Sequence, residues 1–270
     1  MTDNQTYQLS DVTGVTGVSS IITCCNDDLL YTTCPLPTQE ISRVPRCNSN
    51  IVLAPEHRLD LEKSGLLDDT LLQARIQTIY PPSQITKALG FNIPGLVSAY
   101  RLPFPPFDGY ERFKLFYAPG SERGYDGKKK PKYIQCKGAP NRLYIPVPLW
   151  HSGILQDASK TLYITEGEKK ALKATQEGLP CIAVTGLWNW KKPGLTYDAL
   201  IDDFDLIQWQ GLAVNDFGIS YMRGRKVCIV PDNDWLEPGK NLKQAVKRLC
   251  RKLQERGAKT FIVRLPGGTP

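Results

Sequence analysis

Between Thr161 and Pro266 the chain alternates short, uniformly apolar segments with segments of helical period, and this alternation restricts the fold more than anything else in the sequence. The apolar segments are TLYIT (161–165), PCIAVTG (180–186), KVCIVPD (226–232) and KTFIVRLP (259–266). A strand apolar along its whole length has no face to give to water, so it belongs in a parallel sheet covered on both sides. The covers are EKKALKATQEG (168–178) and NLKQAVKRLCRKLQERG (241–257). In the second, Leu242, Ala245, Val246, Leu249, Cys250 and Leu253 fall on one face of a 3.6-residue period. Asn241 is placed to cap its start, and Gly178 and Gly257 to stop the two helices. The expected class is therefore α/β, with a Rossmann-like parallel sheet and helices on both faces, preceded by a smaller α+β region. Ligand sites in such sheets lie at the carboxyl ends of the strands.

The remaining chain has other textures. Residues 1–55, rich in Ser, Thr, Asn and Pro, read as a flexible leader, with Ile21 and Ile22 as a weak strand start. Residues 56–150 read as an α+β region: helical spacing to Gly90, then short aromatic and β-branched pieces between prolines. The basic run GKKKPK (127–132) within it reads as a solvated hairpin tip, the alternative being a phosphate contact. Residues 151–270 hold the sheet, interrupted by a long insertion at 187–224 that has room for a helix. No apolar run approaches the roughly 18–20 residues of a membrane span, and the polar N-terminus lacks the order of a secretion signal, so the expected setting is cytoplasmic, without a membrane partner. The clustered Cys24, Cys25, Cys34 and Cys47 contain no C-x2-C pair, which disfavours zinc.

Acidic residues end two of the strands. Glu166 follows the first, and Asp232 and Asp234 follow the third. Three converging carboxylates repel one another unless a cation sits among them. Hard oxygen ligands suit Mg²⁺, or Mn²⁺ in its place; Mg²⁺ typically takes one or two carboxylates, several waters and substrate phosphate. Capping of helix N-termini is the plain alternative for each acid taken singly.

The residues ITEGEKKALKATQEG, CIAVTG, RKVCIVPDND and TFIVRLPGG together resemble a Toprim domain. The preceding PFPPFDG (103–109) and PKYIQCKGAPNRLYIP (131–146) resemble the region ahead of that domain in a domain-of-unknown-function family. That family occurs in phage, plasmid and mobile-element replication proteins, usually ahead of a helicase. The resemblance implies Glu166, Asp232 and Asp234 as catalytic residues and metal ligands, with the two aspartates holding Mg²⁺ and Glu166 assisting them or acting as general base. It implies primase-like nucleotidyl transfer with single-stranded DNA and nucleotides as partners, and a replicative helicase as a further one. A Toprim-type nuclease would need the same ligands, and a non-catalytic module that binds single-stranded DNA or docks a helicase would keep the fold. No zinc-binding domain of a bacterial primase is recognisable, and the family pattern continues past PGGTP into an acidic segment and a closing helix.

Nucleic-acid contacts are expected from Lys169, Lys170 and Lys173 on the helix after Glu166, and from Trp188, Trp190, Lys191 and Lys192, where aromatic and basic residues interleave; a solvated helix face and the packing of both tryptophans onto the sheet are the plain alternatives. The formal charge is +7, and residues 161–270 carry 17 Lys and Arg against 12 Asp and Glu, a net of +5, which suits a phosphate-bearing partner there. No G-x-G-x-x-G follows a strand and no G-x4-G-K-[ST] occurs, which disfavours dinucleotide binding and a Walker-type ATPase. His57 and His151, the only histidines, sit in no recognisable nucleophile setting.

Overall fold

The computed structural model describes residues 20–25, 28–33, 52–236 and 241–265. In chain order the elements are β1 (Ser20–Cys25), β2 (Asp28–Thr33), α1 (Pro55–Glu62), α2 (Asp68–Gln73), β3 (Gln77–Ile79), α3 (Pro82–Leu89), β4 (Leu96–Pro103), β5 (Glu111–Tyr117) and β6 (Tyr133–Gln135). They continue with α4 (Val147–His151), β7 (Leu162–Glu166), α5 (Glu168–Gln176), β8 (Cys181–Val184), β9 (Gln210–Val214), β10 (Ser220–Gly224), β11 (Lys226–Val230), α6 (Leu242–Glu255) and β12 (Lys259–Val263).

The central sheet has the order β2-β1-β12-β11-β7-β8. Strands β12, β11, β7 and β8 are parallel neighbours, with β8 at the sheet edge, as their unbroken apolarity requires. Successive side chains point to opposite faces, and the two cores follow that alternation. Leu162, Ile164, Ile182, Val227, Ile229 and Ile262 pack under α6 in one core, which also holds Trp190, Phe204 and Trp209 of the insertion. Tyr163, Cys181, Ala183, Cys228 and Val263 face α5 in the other. The expected face of α6 is buried at Ala245, Val246, Leu249, Cys250 and Leu253. Asn241 differs from expectation: it takes a left-handed conformation and makes no side-chain cap.

The hairpin of β1 and β2 pairs antiparallel with the outer edge of β12, Ile21 opposite Val263. These residues fall in the stretch read from sequence as a leader. The pairing partner is some 240 residues away, so no local signal announces it. The second sheet, β3-β4-β5-β6, is antiparallel. One of its faces packs on α3 through Ala99, Phe113 and Leu115. Its other face, with α1 and α2, joins the α5 core through Leu61, Leu71, Tyr100 and Leu102. The insertion forms no α-helix. It has a 3-10 turn at Asp202–Leu206 and the hairpin β9–β10, rooted by buried Arg225, whose guanidinium donates to the carbonyls of Ile154 (2.8 Å) and Leu155 (2.9 Å).

Candidate active site at the carboxyl edge of the parallel sheet

Glu166 is the last residue of β7, and β11 pairs beside it with Thr165 opposite Val230. The Thr165 hydroxyl donates to the Val230 carbonyl at 3.0 Å and pins the two strand ends together. Pro231 follows, with no N–H to continue the ladder. A 3-10 turn at Asn233–Leu236 then carries Asp234, anchored by buried Trp235, whose N–H donates to the Asp232 carbonyl at 3.1 Å. Glu166 and Asp232 therefore leave the same edge of adjacent strands. Burial raises the Glu166 carboxyl above the ordinary carboxylate range; the charge of Asp232 adds to the rise, Lys170 opposes it, and Asp234 adds further. Glu166 thus feels the charge of both aspartates.

Gly167 sits between Glu166 and α5 with φ +90°, a conformation that side-chain-bearing residues rarely adopt. The chain thus turns sharply from strand into helix, and the first turn of α5 lies over the acids. Lys170 of that turn makes an ion pair with Asp232. A cavity of about 720 Å³ opens beside them, lined by Glu166, Asp232, Lys169, Lys170, Lys173 and Arg112 at its polar wall, with Tyr133 and Tyr163 among its apolar lining.

The basic residues differ in what they do. Lys169 is committed to Asp60 of α1 (3.0 Å to Oδ2), which also accepts from the Tyr100 hydroxyl at 2.8 Å. Lys173 pairs with Glu177 one helical turn on. Lys170 alone of the three contacts a strand-end acid. Glu168, at the start of α5, is buried and forms an ion pair with Arg112 of β5. Arg112 and Asp60 were not foreseen from sequence. They come from elements 56 and 109 residues away from their partners. The one local signal is the alternation in ERFKLFY, which places Arg112, Lys114 and Phe116 on one face of β5.

The insertion corrects part of the expected nucleic-acid set. Trp190 is fully buried in the α6-side core, so its ring offers no face to a base. Trp188 is partly buried against the same core, with the ammonium of Lys191 5.2 Å and the guanidinium of Arg248 5.8 Å from its ring centre. Lys192 pairs with Asp202 (2.5 Å). None of these four residues lines the cavity beside Glu166. A Trp-x-Trp repeat reads alike whether the second ring is stacked in a core or offered to solvent.

Among the described residues no group of three or more His, Cys, Asp or Glu side chains is placed to hold a metal ion. The donors at the strand ends are oxygens, the kind Mg²⁺ takes, while Lys170 already neutralises Asp232. His57 is a satisfied core residue, bonded to the hydroxyls of Thr78 (2.7 Å) and Ser98 (2.9 Å). No described helix is long and apolar enough to cross a membrane.

No curated protein matches the sequence. The fold is similar to the zinc-binding and RNA polymerase domains of the Aquifex aeolicus primase, with a TM-score of 0.46 and 15% sequence identity over 80% of this chain. The chain spans about half (51%) of that primase chain. A family model described as a domain of unknown function, DUF3854, matches residues 150–269, the segment that contains all three carboxylates.

Proposed function

We propose that this chain is the primase-like module of a mobile-element replication protein, carrying out Mg²⁺-dependent nucleotidyl transfer on nucleic acid. The observation that carries the reading is the meeting of Glu166 and Asp232 at one edge of adjacent parallel strands, with Asp234 close enough to raise the Glu166 carboxyl and a cavity with lysines on its wall beside them. In this reading Asp232 and Asp234 hold Mg²⁺ or Mn²⁺. The ion, when bound, supplies neutralising charge for the phosphates of an incoming nucleotide. Glu166 completes the ligand set or takes the proton of the attacking hydroxyl; a carboxyl raised above its ordinary range is closer to the working pH of a general base. Lys170 exchanges Asp232 for a phosphate oxygen, and Lys173 stands one turn further along the cavity wall. Single-stranded DNA and nucleotides are the partners, and a replicative helicase is the further one.

A second reading is favoured by the Lys170–Asp232 ion pair: an acid already neutralised by lysine suits a module that binds single-stranded DNA or docks a helicase without catalysis. One assay separates these readings from each other and from a nuclease. Purified chain is given single-stranded template with ribo- and deoxynucleotides, and separately a labelled strand, each with Mg²⁺ or Mn²⁺. Primer products lost in both Asp232→Asn and Glu166→Gln are the expected result. Cleavage without synthesis identifies a nuclease. DNA binding with neither activity establishes the binding module and overturns the catalytic reading.

A further inference from the structure

The arm that joins β5 to β6, residues 118–132, has no part in the site described above. It holds five cations, Arg123, Lys128, Lys129, Lys130 and Lys132, against two acids, Glu122 and Asp126, a net of +3. It is also a built structure. The Gly124 N–H donates to the Lys128 carbonyl (2.9 Å), and the Lys130 N–H donates to the Glu122 carbonyl (2.8 Å). Arg123 Nη1 donates to the Gly127 carbonyl (2.6 Å), and the Lys128 N–H donates to Asp126 Oδ1 (3.1 Å). Lys130 ties the base of the arm to the body, donating to the Pro94 carbonyl at 2.8 Å and lying over the Tyr117 ring. This scaffold holds up Tyr125, whose side chain is fully exposed, among Arg123, Lys128 and Lys129. An ordered tip that presents a bare aromatic ring between cations is the arrangement that stacks a base while meeting the flanking phosphates.

The arm also connects to the carboxylate edge. Lys132 leads into β6, whose Tyr133 pairs across from Lys114 of β5. Lys114 lies between the rings of Phe116 (5.1 Å) and Tyr133 (5.3 Å) and makes no ion pair among the described residues. Its ammonium is held below the usual lysine range chiefly by burial; Asp60 opposes this, and the like charges of Lys169 and Lys132 add to it. Lys114 is therefore close enough to feel both Lys132 and Lys169, and Lys169 lines the cavity with Lys170 and Asp232. Arg112 stands on the same face of β5, five residues or about 17 Å along the strand from Tyr117 at the foot of the arm.

We infer that residues 118–132 grip single-stranded nucleic acid, with Tyr125 stacked on a base and Lys128 and Lys129 on phosphates, and that the strand runs from there past Lys132 and Lys114 to the carboxylate edge. The inference rests on the nucleic-acid reading of the site and adds the place where the strand is held.

The test uses the full chain and a fluorescein-labelled dT20 strand, followed by anisotropy from 50 to 200 mM salt. Variants are Tyr125→Ser and Lys128→Ser/Lys129→Ser, with Lys243→Ser/Lys247→Ser on α6, across the sheet, as a control of equal charge loss. Each arm variant is expected to bind about tenfold more weakly with an unchanged melting curve. The double lysine variant should also lower the salt slope by about 1.4, two single-strand phosphate contacts. The control should bind within about twofold of the parent. Equal losses in arm and control variants, or no binding by the parent chain, overturn the inference. The catalytic reading is decided by primer synthesis in the parent chain and the arm's role by anisotropy, so their failures appear in separate assays.

Discussion

Replacing Arg112 with methionine should destabilise the protein by about 3–5 kcal/mol, the usual consequence of breaking a buried ion pair from one side. The figure follows from where the partner lies. The side chain of Glu168 is 3% exposed and that of Arg112 11%, so water cannot take over the neutralisation when the guanidinium is gone. An exposed pair would change stability by at most about 1 kcal/mol, and the exposure values decide between the two regimes. In a chain of this size each kcal/mol moves the melting point by about 2–4 °C, so the single variant should melt about 10 °C lower. Removing both charges, as Arg112→Met with Glu168→Met, leaves no stranded ion and should recover most or all of the loss. Urea denaturation of parent, both single variants and the double variant completes the cycle. A loss under about 1 kcal/mol in Arg112→Met, or a double variant less stable than the sum of the singles, would refute the account. Because Glu168 begins α5 two residues after Glu166, the single variant should also weaken any metal-dependent activity, with recovery in the double variant.

Glu166→Gln should be more stable than the parent at neutral pH, and the gap should close on acidification. Burial and Asp232 hold the folded carboxyl above its ordinary value of 4.5, so ionised Glu166 opposes folding; its favourable share is complete below about pH 4.5 and is lost as pH rises through the folded value. Thermal melts of both proteins between pH 4 and 8 check the sign, and a gap that widens toward acid contradicts it. Trp190→Ala should destabilise by about 3–5 kcal/mol as a core truncation, whereas Trp188→Ala, at a partly buried position, should change stability by no more than about 2 kcal/mol; equal effects in chemical denaturation would place Trp190 outside the core.

How much was legible in the sequence depended on range. The strands ending at Glu166 and the partner strand ahead of Asp232 were readable because a strand buried on both faces must be apolar at every position, a signal contained in five residues. The face of α6 was readable for the same reason at a different period. The hairpin β1–β2 was not, because its place depends on an open edge of β12 across the whole chain. Trp190 stays open in the sequence between a base contact and the core, because composition says nothing of which way a ring turns; the buried Phe204 and Trp209 that share its core come later in the insertion. Asp60 and Arg112, which brace α5, have no motif at all, since an ion pair between distant elements leaves no spacing to read.

The core shared by α5 and the N-terminal elements has a practical bearing on where this protein can be cut. By sequence, the stretch from residue 150 onward is a self-contained unit, and it is the unit that family comparison picks out. By packing it is half of something larger. Leu172 of α5 and Tyr163, Cys181, Ala183, Cys228 and Val263 of the sheet find their cover in Leu61, Leu71, Tyr100, Leu102 and Phe104. Excised at residue 150, the segment would present that side chain layer to water as one continuous greasy surface, together with the stranded charge of Glu168. The inheritable module and the foldable module thus have different borders. A fragment made for biochemistry should begin ahead of β1, at or before residue 20, so that it keeps both the cover of α1 and the hairpin on β12, whatever the borders of the recurring sequence.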